Sequence, residues 1–183
     1  MLKFITGNKG KFGEAVLMLA PIPVSQLDID VDEIQTLDHK KVIAHKLAHA
    51  LGHQTGDFFI EDTCVYFEGL KNKLPGTYAR SFWEVMGAKG THDFIKRLSS
   101  DRAEMHSVIG YAENKNKIHF FSSRIKGKIV KPKGTYGFGY DRIFRPDKTG
   151  KTLSELKEQG KFEYSPRCGA MNKLKKYLLA NIA

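Results

Sequence analysis

Only two cysteines occur in the 183 residues, and Cys64 and Cys168 have neither the spacing of a zinc site nor partners for a disulfide framework. No apolar run approaches the roughly 18 residues of a membrane span. The opening residues 1–6 turn polar too quickly for a signal peptide. These absences predict a cytoplasmic protein with reduced thiols and no membrane partner. Two familiar nucleotide signatures are also missing, the Gly-x-x-x-x-Gly-Lys-[Ser/Thr] loop and the three-glycine dinucleotide fingerprint. Internal repeats and low-complexity segments are absent as well. Acid is in short supply: 20 Asp and Glu stand against 30 Lys and Arg, for a net charge of +10. An anionic partner is therefore expected, whether nucleic acid, a membrane surface or a small polyphosphate. Basic residues recur beside glycines at loop mouths, which points to phosphate.

What is present is enough for a globular core. Apolar residues make up 41% of the chain. The length suits one domain over 1–183, divided at most into two lobes, rather than two independent domains. Its organising stretch is 58–70, where Phe58-Phe59-Ile60 has the composition of a buried strand and Glu61-Asp62 follow abruptly. An acid there sits in a half-dry place and needs a cation or donors. Asp62 reads either as the cap of a turn through Thr63, or as a metal ligand or general base at the carboxyl end of a central strand.

Around that stretch the elements fall in order. Residues 2–5 read as a strand, Thr6-Gly7-Asn8-Lys9-Gly10-Lys11 as a turn, and 12–20 as a helix with Phe12, Ala15, Val16, Met18 and Leu19 at helical spacing. A strand, a glycine turn and a helix start form a natural anion seat, although Asn-Lys-Gly is also an ordinary turn. Residues 24–29 suggest a second strand. Asp28, Asp30, Asp32 and Glu33 then form either a solvated acidic loop or part of a hard-cation site. Residues 38–51 read as helix, with Ile43, Leu47, Ala50 and Leu51 inward. His45, His49 and His53 recur every four residues without an intervening carboxylate ligand, and are read as an exposed polar stripe rather than a zinc site.

Further on, 71–76 form a basic loop and 78–86 and 91–98 short helices. Residues 104–113 and 117–128 form a hairpin. The loop 131–141 carries three glycines and three aromatics, so an aromatic held between glycines can serve as a platform for a flat base. Residues 154–159 form a short helix. Ser165 and Pro166 open a closing helix through 180, as N-cap and first helical residue.

Six segments then stand in order: Thr6-Gly7-Asn8 with Lys11 and Glu14; Asp32-Glu33-Ile34-Gln35; Glu61-Asp62-Thr63; Leu74 to Arg80; Gly137-Phe138-Gly139-Tyr140-Asp141; and Ser165-x-Arg167 with Ala170. Together they resemble the inosine triphosphate pyrophosphatase family over nearly the whole chain. The resemblance implies an α/β fold, an elongated central mixed β-sheet flanked by helices, in two lobes with a cleft between them. It implies Mg2+-dependent hydrolysis of non-standard purine nucleoside triphosphates (ITP, dITP, XTP) to the monophosphate and pyrophosphate, and a homodimer. By resemblance, Glu33 is a metal ligand, Asp62 a ligand or the base that activates water, and Lys11 joins them in catalysis. Thr6, Asn8, Lys11, Lys46, Arg80 and Lys161 hold the triphosphate. Phe138 stacks on the base while Asp141 and Arg167 meet its edge, and Gly139, Tyr140 and Ser165 complete the substrate-binding set.

Physical reasoning agrees with these roles. A triphosphate carries about four negative charges, which metal and basic side chains must neutralise before water can attack. Spaced lysines and arginines suit a cleft better than a flat nucleic-acid stripe. Departures from the family pattern concern the base: Pro166 replaces a histidine, Arg142 follows Asp141 where proline is usual, and Arg80 stands where lysine is common. Two alternatives remain. One is a pyrophosphatase of the same fold acting on other modified or standard nucleotides. The other is a non-catalytic nucleic-acid-binding protein, which leaves Glu33 and Asp62 unexplained.

Overall fold

The computed structural model describes residues 1–181. Its elements run β1 (Leu2–Ile5), α1 (Lys9–Leu19), β2 (Val24–Leu27), α2 (His39–Leu51), β3 (Phe58–Phe67), β4 (Pro75–Gly76), α3 (Ala79–Ile95), β5 (Arg102–Asn114), β6 (Lys117–Ile129), β7 (Phe144–Pro146), α4 (Leu153–Glu158) and α5 (Pro166–Asn181). The strands make one mixed sheet in the order β2-β1-β3-β5-β6-β7, with β4 paired to β3. β1 runs parallel to β2, with Leu2 opposite Val24, and parallel to β3, with Lys3 opposite Phe58. β4 and β7 pair antiparallel with β3 and β6. Parallel neighbours need a helical crossover, which α1 supplies between β1 and β2.

The chain divides into two compact units. The first takes in Met1–Asp62, Ser107–Ser123 and the chain from Arg167; the second takes in Thr63–His106 and Arg124–Pro166. β3, β5 and β6 contribute residues to both. In the first unit, Ile43, Leu47 and Ala50 of α2 pack with Ile5, Phe58, Ile60 and Ala112. Gly110 permits this: a β-carbon there would strike the side chains of Leu47 and Ile43. In the second unit, Val65, Phe67, Ile95, Tyr140, Ile143, Phe144, Leu153 and Leu156 form the core.

Several boundaries differ from those read in the sequence. Helix α1 begins at Lys9 rather than residue 12, because Asn8 caps it: its Oδ1 accepts from the Lys11 N–H at 2.9 Å. Val16, expected inward on α1, is 41% exposed, and buried Glu14 takes part in that helix's inner face. The largest difference lies in β3. It does not end at the acids but continues to Phe67, so Glu61 and Asp62 lie in mid-strand. Gly87, with φ of +60°, interrupts α3 and separates the two short helices expected there.

Candidate functional site

The first unit holds a connected set of charges around Asp62. Asp38 caps α2 by accepting from the Lys40 and Lys41 N–H groups, which places His39 in the helix's first turn. There His39 Nε2 lies 3.1 Å from Asp62 Oδ2. On the other side Lys11, in the first turn of α1, brings its Nζ to 3.7 Å from Asp62 Oδ1 and 3.2 Å from Glu61 Oε2. It also donates to the Glu61 carbonyl at 3.3 Å. Lys46, two turns along α2, pairs with Glu33 Oε2 at 2.6 Å. Burial pushes the Asp62 carboxyl up, but the His39 hydrogen bond and the charges of Lys11, His39 and Lys46 outweigh it. They hold Asp62 well below the usual carboxylate range, so it is ionised.

Since Lys46 pairs with Glu33 and its charge also bears on Asp62, the two acids expected to hold a metal belong to one cluster. Their oxygens are the hard donors that magnesium takes, and the ammonium groups against them mark a place where positive charge is wanted. Among the described residues, the group whose ligand atoms lie close enough together to share an ion is His39, Asp62 and Cys64, while Glu33, paired with Lys46, stands outside it. Among the described residues, His45, His49 and His53 do not form a group close enough to share one. His49 instead lies 3.9 Å from Asp32.

Behind Asp62 stands a second layer whose pairings the sequence did not indicate. Glu61 is 5% exposed, and its Oε1 accepts from Ser107 Oγ at 2.7 Å. Its Oε2 lies 3.2 Å from Arg167 Nε, and Arg167 also reaches Glu14 Oε2 at 2.5 Å. Arg167, expected at the base edge, is thus 4% exposed with its guanidinium committed to two carboxylates. The Thr6–Lys11 turn lies in the same unit. Thr6 Oγ1 accepts from the Asn8 N–H at 3.1 Å and the Thr6 carbonyl accepts from Gln26 Nε2 at 2.7 Å, which fixes the turn before the start of α1.

The second unit holds the remaining expected residues. Phe138 is half-buried between Gly137 and Gly139, whose φ values of +85° and +55° suit glycine. Asp141, expected at a base edge, is turned inward at 5% exposure. Its Oδ2 accepts from the Phe138 N–H at 3.1 Å and from Lys157 Nζ at 2.9 Å. Tyr140 is a core residue whose hydroxyl donates to the Ala79 carbonyl at 2.9 Å. Arg80 is exposed and pairs with Glu84 one turn on, at 2.8 Å. Lys161 is exposed, and Ser165 is buried just ahead of α5.

Among the contributors that received no site role from the sequence are His39, Glu61, Glu14, Ser107 and Lys157. Glu14 and Glu61 stand within the matching segments, so their places were marked but not their partners. Lys157 carried a weaker signal, four residues after Leu153 on the face of α4 that Leu156 also lines.

A mixed sheet flanked by helices, bearing an ionised carboxylate among lysines beside a strand–turn–helix, defines the class as an open-sheet α/β protein. The chain belongs to the Ham1 family, which matches residues 2–177. It is 31% identical over 183 residues to the dITP/XTP pyrophosphatase of Methanopyrus kandleri, covering 98% of this chain and 97% of that one. It is 33% identical over 189 residues to the inosine triphosphate pyrophosphatase of Candida glabrata, covering 98% and 97%. Among solved structures, the Ham1 protein of Staphylococcus aureus matches with a TM-score of 0.78 at 22% identity, over 98% of both chains.

Proposed function

We propose that this protein hydrolyses non-standard purine nucleoside triphosphates, ITP, dITP and XTP, to the monophosphate and pyrophosphate. The observation that carries the reading is Asp62, held ionised in one cluster with Lys11, Lys46 and Glu33. Relatives bearing the pyrophosphatase names over almost their full length supply the substrate class. Water cleaves the α–β anhydride, so charge develops on the departing pyrophosphate. Lys11 and Lys46 would balance it.

Asp62 and Glu33 would hold magnesium, which supplies charge on the phosphate oxygens and a more acidic bound water. Asp62 would serve there as a ligand or as the base that activates water, and its ionised carboxylate suits either role. Thr6 and Asn8 would line an anion seat at the start of α1. Phe138 offers the stacking face for the base. The protein acts in the cytoplasm as a homodimer.

The test is steady-state turnover of inosine, xanthosine, guanosine and adenosine triphosphates with magnesium, quantifying pyrophosphate and monophosphate together. Equal release of both products from the inosine and xanthosine nucleotides, lost in chelator, is expected. Orthophosphate release, or full turnover in chelator, refutes the reading.

A further inference from the structure

Nothing in the proposed reaction accounts for Lys157. It stands on α4 in the second unit with its side chain 2% exposed, a costly place for an ammonium group. That ammonium donates to Asp141 Oδ2 at 2.9 Å, and the same oxygen accepts from the Phe138 N–H at 3.1 Å. Lys157 Nζ also lies over the Phe138 ring, 5.5 Å from its centroid, within the range of cation–π attraction. Gly137 completes the arrangement: with φ of +85°, a β-carbon there would run into the Asp141 carboxylate.

Helix α4 holds the same turn at two further points. Ser154 Oγ donates to the Tyr136 carbonyl at 2.6 Å, and Glu158 Oε1 accepts from the Thr135 and Tyr136 N–H groups at 2.6 and 3.1 Å. Glu158 is exposed, so water competes for its bonds. The Lys157–Asp141 pair is shielded, and it reaches both the backbone and the ring of the stacking residue.

We propose that Lys157 is a positioning residue for base recognition. Acting through Asp141 it fixes the main chain at Phe138. By occupying one face of the Phe138 ring, its ammonium leaves the opposite face as the one on which a purine stacks. The inference rests on the reading of Phe138 as the base platform and adds the group that sets its orientation. Asp141 accordingly serves the base at one remove, through the turn it anchors.

The experiment uses the full chain with magnesium and three variants: Lys157→Met, the double variant Lys157→Met/Asp141→Asn, and Phe138→Ala. The double variant removes both charges together, so neither is left buried alone, while the amide oxygen that replaces the carboxylate can still accept from the Phe138 N–H. KM and kcat are measured for inosine triphosphate, and inhibition constants for inorganic tripolyphosphate, which has no base. A lost or misdirected base stack corresponds to about tenfold weaker nucleotide binding. Expected for Lys157→Met is a KM raised about tenfold, kcat within about twofold and tripolyphosphate inhibition unchanged, with a smaller KM rise in the double variant. If Lys157→Met does not fold, a selective KM rise in the double variant carries the same conclusion.

Unchanged KM in the Lys157 variants, with Phe138→Ala raising KM, overturns the role of Lys157 and leaves the platform standing. Tripolyphosphate inhibition weakened as much as nucleotide binding also overturns it, because that pattern marks general loss of structure. Unchanged KM in Phe138→Ala overturns the platform and the inference with it.

Discussion

Arg167 is the residue whose removal most sharply separates a structural from a recognition role. Its guanidinium is 5% exposed and lies against Glu14, 3% exposed, and Glu61, whose side chain is fully buried. Arg167→Ala takes away the guanidinium that lies against the buried Glu14 carboxylate. Glu61 retains Lys11 at 3.2 Å and the Ser107 hydroxyl at 2.7 Å. Breaking one partner of a buried pair costs about 3–5 kcal/mol, and the retained partners of Glu61 put this variant near the lower end. For a chain of this length, about 3 kcal/mol corresponds to a melting temperature lowered by about 6–12 °C. Glu14→Gln combined with Arg167→Met removes the charges together and should recover most of that loss. The assay is thermal and urea unfolding of the three proteins, followed by kcat/KM for inosine and adenosine triphosphates under conditions where each is folded. An Arg167→Ala protein within about 1 kcal/mol of the parent refutes the buried-cluster account. A selectivity ratio that collapses in the well-folded double variant restores Arg167 to the base edge.

Asp62→Asn keeps the shape of the side chain but loses its charge, and is expected to lower kcat about a hundredfold or more in magnesium; near-normal turnover excludes the metal role. Because the folded pKa of Asp62 is depressed, its stabilising contribution is fully present above about pH 4 and lost as pH falls toward the depressed value. Metal-free unfolding measured from pH 7 downward should therefore be less pH-dependent below about pH 4 in Asp62→Asn than in the parent. Lys11→Ala should raise KM for the triphosphate about tenfold, while single-stranded oligonucleotides bind weakly and are released by salt. Tight oligonucleotide binding at physiological salt, without turnover, favours the nucleic-acid reading. Pro166 costs α5 nothing at its first position, so Pro166→His should widen the margin for inosine over adenosine triphosphate; an unchanged ratio places base selection elsewhere.

Much of this architecture is local, and local physics is written in the sequence. Asp38 caps α2 at the residue where the sequence starts that helix, and apolar spacing alone indicated its inner face, whereas the Asn8 cap was hidden in a segment that reads equally well as a turn. The order of motifs from Thr6 to Arg167 was enough to indicate the family. Tertiary structure decided what each charged side chain meets. Arg167 and Glu14 are 153 residues apart, and no spacing rule brings a guanidinium to that carboxylate rather than to a base. Asp141 looked like a loop-end acid open to a ligand until α4 brought Lys157 against it. His39 was one of seven histidines, with nothing local to mark it; the N-cap of α2 and the mid-strand position of Asp62 together place it on the central carboxylate. Capping and periodicity depend on neighbours a few residues away. Ion pairs and pKa shifts depend on burial and on charges from distant segments, which exist only once the chain has folded.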